Sequence, residues 1–489
     1  MNKTPCTAGQ SSTAILRRVS TERQLALAAA QPPATAVATI GISRRDWLKR
    51  TVAASTVFAV PHVLTQPLRG AAAPSNRVNV GQIGCGGISH YHISYLGRMP
   101  DVRIVAVAYA YKSRREATAT KLNQQYGEPG TVKVYDDFRE ILARPDVDAV
   151  VVAAHDNWHM PMSVAAAQAG KDVYCQKPLG LDFGLTDVLR KVIRDKKRVF
   201  QFGTQYRSMA RYRQMVQLVR NGYIGQLQRI DLWCRDVSFN VDQYHVKPYG
   251  SSAEVPVPAD LDFDAWMGPS LMVPYTVDRC TPWGGYHCPE TSLGFIAGCG
   301  IHELGLAQWG NKADHTSPIR YAGTGSVPKE GVFRTLERWD VMCDYANGVK
   351  LRFMDFRTAK PVALKYLPGW HDGDGLAFHG SEGWISDAEG FAASNRALWK
   401  VAFKPSDEQL PVSPEHNRNF IDCVKSRQET ICPVEMGIRC DAICQLAAVA
   451  AQTGRVIQWD PAREAIVGDA AAAQMLTRPY RDKWKVWQA

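Results

Sequence analysis

The sequence predicts an α/β protein in two parts: a doubly wound domain on a parallel sheet, then an α+β domain with an open, mainly antiparallel sheet. Three observations predict it. Arg77-Val78-Asn79-Val80-Gly81-Gln82-Ile83 is an apolar strand that runs into the turn Gly84-Cys85-Gly86-Gly87-Ile88-Ser89 and then into a helical pattern. Strand and helix patterns alternate from there to Lys177, as a parallel sheet with helices on both faces requires. From about residue 206 the texture changes to alternating strands, with the hairpin signal Asn347-Gly348 between two of them.

The 489 residues are too many for one hydrophobic core. An apolar content of 45% and a charged content of 21% describe an ordinary soluble globular protein. The net charge of +11 is concentrated at the N-terminus, where residues 1–73 hold nine Lys/Arg against two Asp/Glu. No basic stripe remains in the rest, which argues against a nucleic-acid partner. Residues 1–73 read as an export segment. Ser43-Arg44-Arg45-Asp46-Trp47-Leu48-Lys49 is a twin-arginine signature, a moderately apolar run follows at 51–64, and small residues at 70–73 supply a cleavage site. The run is too short to span a bilayer and contains Pro61, so no stable membrane anchor is expected. The expected partner is the twin-arginine export machinery, with a periplasmic or otherwise exported destination. That route carries folded proteins, which suits a chain that acquires a nucleotide in the cytoplasm.

The boundaries read as 1–73 for the signal, 76–205 for the parallel domain and 206–430 for the second domain. Residues 431–489 read as a helix packing back on the first domain and a terminal tail. Removing the signal leaves eleven cysteines, an odd count without a C-x-x-C pair, which disfavours a disulfide framework or a structural zinc. Cys280 and Cys288, flanking His287, are the one cluster where either remains open.

In a dinucleotide fold the first glycine of the turn permits the tight bend and the second lets backbone approach a pyrophosphate at the helix N-terminus. Gly84, Gly86 and Gly87 supply these here; Ile88 follows, and Ser89 is small enough for helix–strand packing. The next strand, Val102–Ala108, should end in a carboxylate for the adenosine ribose, but it ends in Tyr109-Ala110-Tyr111-Lys112-Ser113-Arg114. Either Lys112, Ser113 and Arg114 hold a 2′-phosphate, which on charge logic favours NADP, or Tyr109 stacks on or covers the adenosine. The alternation continues through helix Lys112–Tyr126, a strand near 132–135, a helix at 137–144 and the buried strand 149–153. Asn157-Trp158-His159 opens the next helix, and the strand after it ends at Val173-Tyr174-Cys175-Gln176-Lys177-Pro178-Leu179. Both lie at the carboxyl edge of the sheet, where such folds bind ligands. Beyond 206, strands are expected at 229–235, 339–347, 349–356 and 377–385, with helices at His416–Ser426 and 433–454.

These segments resemble the Gfo/Idh/MocA family, the relatives of glucose–fructose oxidoreductase and inositol dehydrogenase. The resemblance runs from about Val78 to the C-terminus, carried by the glycine turn, the Asn157-Trp158-His159 loop, GKDVYCQKPL, FGTQYRS, GIHELGLAQWG and HNRNFIDCVKSR. It implies a Rossmann domain binding NAD or NADP, and a homo-oligomer, dimer or tetramer; export implies that the cofactor, not replenished outside the cytoplasm, stays tightly bound. The resemblance implies Lys177 and His302 as the catalytic pair acting on a sugar or polyol. It also implies cofactor contacts from the glycine turn, Tyr109, Lys112, Arg114, Asn157, Trp158, His159, Gln176, Lys177 and Gln205. The chain departs from the family pattern where Tyr109, Gln176, Gly298 and Gly305 replace carboxylates. Trp283 and Tyr286 form either a sugar-stacking lip or a plain aromatic loop, and Arg207 and Arg357 either bind substrate oxygens or lie in solvent. Three functions follow: an exported NAD(P)-dependent oxidoreductase, an NAD-dependent glycoside-cleaving enzyme without net redox, or a non-catalytic carbohydrate-binding protein on the same scaffold.

Overall fold

The computed structural model describes residues 76–237, 249–281, 283–370 and 372–488; the twin-arginine motif lies outside them. The first sheet is built from β1 (Val78–Ile83), α1 (Gly87–Leu96), β2 (Val102–Ala108), α2 (Lys112–Tyr126), β3 (Lys133–Tyr135), α3 (Phe138–Leu142), β4 (Ala149–Val152), α4 (Asp156–Gln168), β5 (Asp172–Cys175), α5 (Thr186–Asp195) and β6 (Phe200–Phe202). Its strands run parallel in the order β3-β2-β1-β4-β5-β6. That is the doubly wound order whose ligand crevice opens between β1 and β4. The all-apolar β4 shows why the strands are buried on both faces. Val150 and Val152 enter one core, and Ala149 and Val151 enter the other.

After α6 (Ala210–Arg220) the second sheet begins at β7 (Leu227–Cys234) and is followed by α7 (Phe263–Met267), α8 (Phe295–Gly298) and α9 (Gly300–Gly310). Next come β8 (Arg320–Ser326), β9 (Arg338–Asp344), β10 (Lys350–Asp355), α10 (Phe356–Ala363), β11 (Gly375–Gly380), β12 (Trp384–Ser386), α11 (His416–Ser426), α12 (Val434–Thr453), β13 (Ile457–Asp460) and β14 (Ala465–Val467). The eight strands are ordered β12-β11-β7-β10-β9-β8-β13-β14, antiparallel except for β7 beside β10. The expected hairpin is present: β9 and β10 pair from Asp344 opposite Lys350, around Gly348 at φ +87°. Along β9, Trp339, Val341 and Cys343 alternate inward, the period of a half-buried strand.

Helix α12 meets the first domain at β6, α5 and the turn Phe183–Leu185, and lies more extensively on β8, β9 and α9 of the second. Its run of small and apolar residues, Ala442 through Ala451, is buried all round because it is sandwiched between layers. Helix α11 also returns to the first domain, where it packs on α1. Cys280 and Cys288 are separate buried thiols, both pushed up to about 12 by burial.

Candidate active site

The glycine turn has the shape its sequence requires. Gly84 sits at φ +101°, and a Cβ there would lie 2.1 Å from the Ala153 carbonyl oxygen, so no other residue fits. Helix α1 starts at Gly87 with no side chain capping it. A Cβ at Gly87 would meet nothing within 4 Å. Free N–H groups with open space above them fit a pyrophosphate. Beside the turn lies a cavity of about 260 Å³ whose lining includes Gly84, Tyr109, His155, Trp158, Trp266 and Trp484. The Tyr109 hydroxyl is 3.7 Å from where a Cβ on Gly86 would stand. The tyrosine therefore covers the turn from the end of β2.

At the same sheet edge, the Lys177–Pro178 peptide is cis, and Lys177 Nζ donates to the Gly298 carbonyl oxygen at 2.6 Å. The Tyr286 ring centroid is 5.7 Å from Nζ, within cation–π range. At position 298, where the family pattern has a carboxylate, the backbone carbonyl takes the ammonium. A second charge partner comes from the start of α4. Asp156 is buried, accepts from Ser292 Oγ at 2.6 Å, and is pushed up to about 7 by burial, with Lys177 pulling the other way.

His302 follows on the first turn of α9, four residues after Gly298. Its ring stacks on Tyr206 at 4.9 Å and 29°, and its buried Nδ1 has no partner. Burial, then the charges of Lys177 and Arg235, hold its pKa well below the usual histidine value. The imidazole is therefore neutral and oriented by stacking rather than by a carboxylate. The neighbouring Glu303 is buried and pushed well up by burial and by Asp387 and Asp374, which Arg235 opposes. Arg235 in turn is gripped by Asp374 through Nε and Nη2, at 3.0 and 2.5 Å to Oδ2. Asp156, Arg235, Asp374 and Asp387 were not singled out in the sequence; only the position of Asp156 at the start of the Asn157 loop signalled it.

Several expected site residues are engaged elsewhere. Arg207 is buried, and its guanidinium bonds Asp314 and the Gly305 carbonyl, so it braces α9 rather than facing substrate. Asn157 Nδ2 donates to Met267 O and Ser270 Oγ, and Trp158 Nε1 donates to Ala265 O. A Cβ on Gly268, at φ +54°, would strike the Trp158 ring at 2.1 Å, which makes glycine obligatory at that approach. Of this loop's three residues only Trp158 lines the cavity. His159 has both ring nitrogens against carbonyl oxygens, of Pro178 at 2.5 Å and Ala154 at 3.2 Å. It fixes the strand end from below rather than touching a cofactor. Lys112 is exposed at the start of α2, and Arg114 lies 4.4 Å over the Tyr111 ring. Gln205 begins the short turn after β6. Trp283 is 38% exposed and tilts toward Tyr286, with centroids 6.0 Å apart.

Gln176 also points away from the cleft, and its partner explains why it is not a glutamate. Its Nε2 lies 2.8 Å from His92 Nε2, and His92 Nδ1 lies 2.7 Å from Asn417 Oδ1. The amide donates to a neutral imidazole that carries its own proton on Nδ1. Burial lowers His92 to about 4. A glutamate here could keep both of His92's bonds only after the pair took up a proton, because the tautomer that donates from Nε2 leaves Nδ1 bare against Asn417 Oδ1. Gln176→Glu is therefore expected to cost about 1–3 kcal/mol of stability at neutral pH. The deficit should widen by up to about 1.4 kcal/mol for each further pH unit. Thermal melts of variant and wild type at several pH values check this; a gap that stays constant or narrows as pH rises contradicts it.

Residues 78–204 match the family model described as oxidoreductase family, NAD-binding Rossmann fold, and residues 209–486 match the model for its C-terminal alpha/beta domain. Myo-inositol 2-dehydrogenase of Thermotoga maritima is 32% identical over 161 residues, which span 32% of this chain and 46% of that relative. The chain thus matches about half the length of this curated relative. Among solved structures, a myo-inositol 2-dehydrogenase from Lactobacillus plantarum superposes with a TM-score of 0.54 at 19% identity, covering 78% of this chain and 99% of that one. A levoglucosan dehydrogenase in complex with NADH and levoglucosan gives a TM-score of 0.55 at 17% identity, over 78% and 99%. These likenesses establish the fold.

Proposed function

The chain belongs to the Gfo/Idh/MocA oxidoreductase family, and from that premise we propose that it oxidises a secondary hydroxyl of a cyclic polyol or sugar. The reading assigns NAD as the hydride acceptor and places Lys177 and His302 at the reacting carbon. The observation that carries it is a shared edge. The uncapped N-terminus of α1 and the ammonium of Lys177 both stand at the carboxyl ends of the six-stranded sheet. The names of the relatives, dehydrogenases of inositols and of an anhydrosugar, support the substrate class.

Oxidising a carbinol removes a hydride from carbon and a proton from oxygen. When bound, the nicotinamide supplies the two-electron acceptor for the hydride. The proton is the protein's task. Neutral His302 offers a ring nitrogen to accept it, and stacking on Tyr206 fixes the direction in which that nitrogen points. Lys177 presents its ammonium to the same oxygen and stabilises the negative charge gathering there before the carbonyl forms. The Gly298 carbonyl and the Tyr286 ring hold that ammonium in place. The proton leaves His302 for solvent readily, because burial and two neighbouring cations disfavour the imidazolium.

The test is a panel of cyclitols and pyranoses mixed with the protein and NAD⁺, followed through the absorbance of reduced nicotinamide. At least one member of the panel should be oxidised. Protein that binds NAD⁺ yet reduces none of it with any member would reject the dehydrogenase reading.

A further inference from the structure

The end of β2 lacks a carboxylate, but one arrives there from the second domain. Residues 258–270 cross the carboxyl edge of the first sheet. Asp262 N donates to Ala110 O at 3.0 Å, Lys112 N donates to Asp260 O at 2.9 Å, and Tyr111 pairs with Leu261 in an antiparallel bridge. The segment is then anchored along its length. Ala265 and Met267 accept from Trp158 and Asn157, and Asp264 is paired with Arg481 and with Lys483. In this arrangement Ser113 donates from its backbone N to Asp260 Oδ1 at 2.7 Å and from Oγ to Oδ2 at 2.5 Å. Those bonds hold the Asp260 carboxyl below the usual carboxylate range, so it is an anion.

Asp260 therefore stands on the first turn of α2, directly after β2. In a dinucleotide fold that is where the strand end meets the adenosine ribose. The cavity lined by Tyr109, Ala110 and Asp262 lies alongside.

We propose that Asp260 selects NAD⁺ over NADP⁺ by standing, from another domain, where the strand-end carboxylate is missing. The inference rests on the nucleotide reading above. An unphosphorylated ribose brings hydroxyl donors to this edge, which a carboxylate accepts. A 2′-phosphate brings about two negative charges against it and competes for the same first-turn N–H groups. Of the two basic residues that favour NADP on charge logic, Arg114 lies over Tyr111, and Lys112 is exposed at the start of α2 with its backbone N bonded to Asp260 O.

Calorimetric titration of the full chain with NAD⁺, NADP⁺, ADP and 2′-phospho-ADP tests this. The last two isolate the adenosine end from the nicotinamide. Wild type should favour the unphosphorylated member of each pair by at least about tenfold, and Asp260→Asn should reduce that to about threefold or less. The asparagine keeps the shape and can still accept from Ser113 N, so a fold defect is not expected. The wild-type ratio is informative without any variant. Equal binding or a preference for the phosphorylated member by wild type overturns the inference while leaving the nucleotide reading standing. So does an unchanged ratio in Asp260→Asn. Binding of none of the four by chain shown by mass spectrometry to carry no nucleotide overturns the nucleotide reading itself, and this inference with it.

Discussion

Lys177→Met lowers turnover by at least about a hundredfold, the ordinary scale for removing a positioned acid–base or charge-stabilising group. Nucleotide affinity should change by less than about threefold, because the glycine turn and the cavity beside it are built from other residues. The methionine keeps the length of the side chain and removes only its charge and its donors. The Gly298 carbonyl then loses the partner at 2.6 Å, at a cost of about 1–3 kcal/mol. A typical folded protein tolerates that against a total of about 5–15 kcal/mol. The variant should thus be folded, nucleotide-competent and slow. Wild-type turnover in Lys177→Met would remove the lysine from the chemistry while leaving the fold untouched. A loss seen only in KM would assign it to substrate binding alone.

The second large effect is acid lability. His92, His159, His287 and His416 are all 1% exposed or less. Burial, the leading cause in each, lowers His92, His159 and His416 to about 4 and His287 to about 3. In the unfolded chain they titrate near 6.5. As pH falls from 6.5 toward 4 the unfolded state takes up protons that the folded state refuses, so stability present above 6.5 is lost through that window. Asp156, Asp441 and Glu303 act in the opposite sense, with a smaller share from Asp182. Burial raises Asp156 and Asp441 to about 7 and pushes Glu303 and Asp182 up as well, so the folded state binds their protons first and gains stability as pH falls. They offset much of the histidines' loss, leaving a net slope of up to about 1.4 kcal/mol per pH unit. His155 and His302 are half-buried at the cleft, where solvent weakens their share. Melting temperature is expected to fall continuously below about pH 6.5, and unfolding should be accompanied by proton uptake. A flat melting temperature between pH 7 and pH 4.5 would contradict this account of the buried histidines.

Much of the fold is legible in the sequence because its signals are local. The turn at Gly84 needs a positive φ, β4 needs apolar residues on both faces, and the hairpin at Asn347-Gly348 announces itself in two residues. The position of Lys177 at the sheet edge follows from the same alternation. Its surroundings do not, since every partner is distant in the chain. Gly298 lies 121 residues away and accepts the lysine through backbone, which no side-chain pattern encodes. Gln176 looks like a lost carboxylate until His92 is seen against it, 84 residues earlier. The cations after Tyr109 suggest a phosphate site because the sequence cannot show Asp260 bonded to Ser113, 147 residues earlier, on the first turn of α2. Arg207 reads as a candidate for substrate by charge, yet Asp314 holds it inside. Helix α12 carries too little amphipathic pattern to say which layer it joins. Substitutions that look like losses along the chain become exchanges of one partner for another once the domains meet.

The central claim is that the glycine turn and Lys177 form one site that moves a hydride between a carbinol carbon and a nicotinamide. It is tested most directly by following that hydrogen. The cyclitol and pyranose panel, carrying deuterium on its ring carbons, is mixed with the protein and NAD⁺ for a single turnover, and the nucleotide is released and weighed by mass spectrometry. The account predicts reduced nucleotide one deuterium heavier with at least one substrate, and a strong loss of that signal in Lys177→Met. NAD⁺ that binds but returns unlabelled from every member of the panel would contradict it.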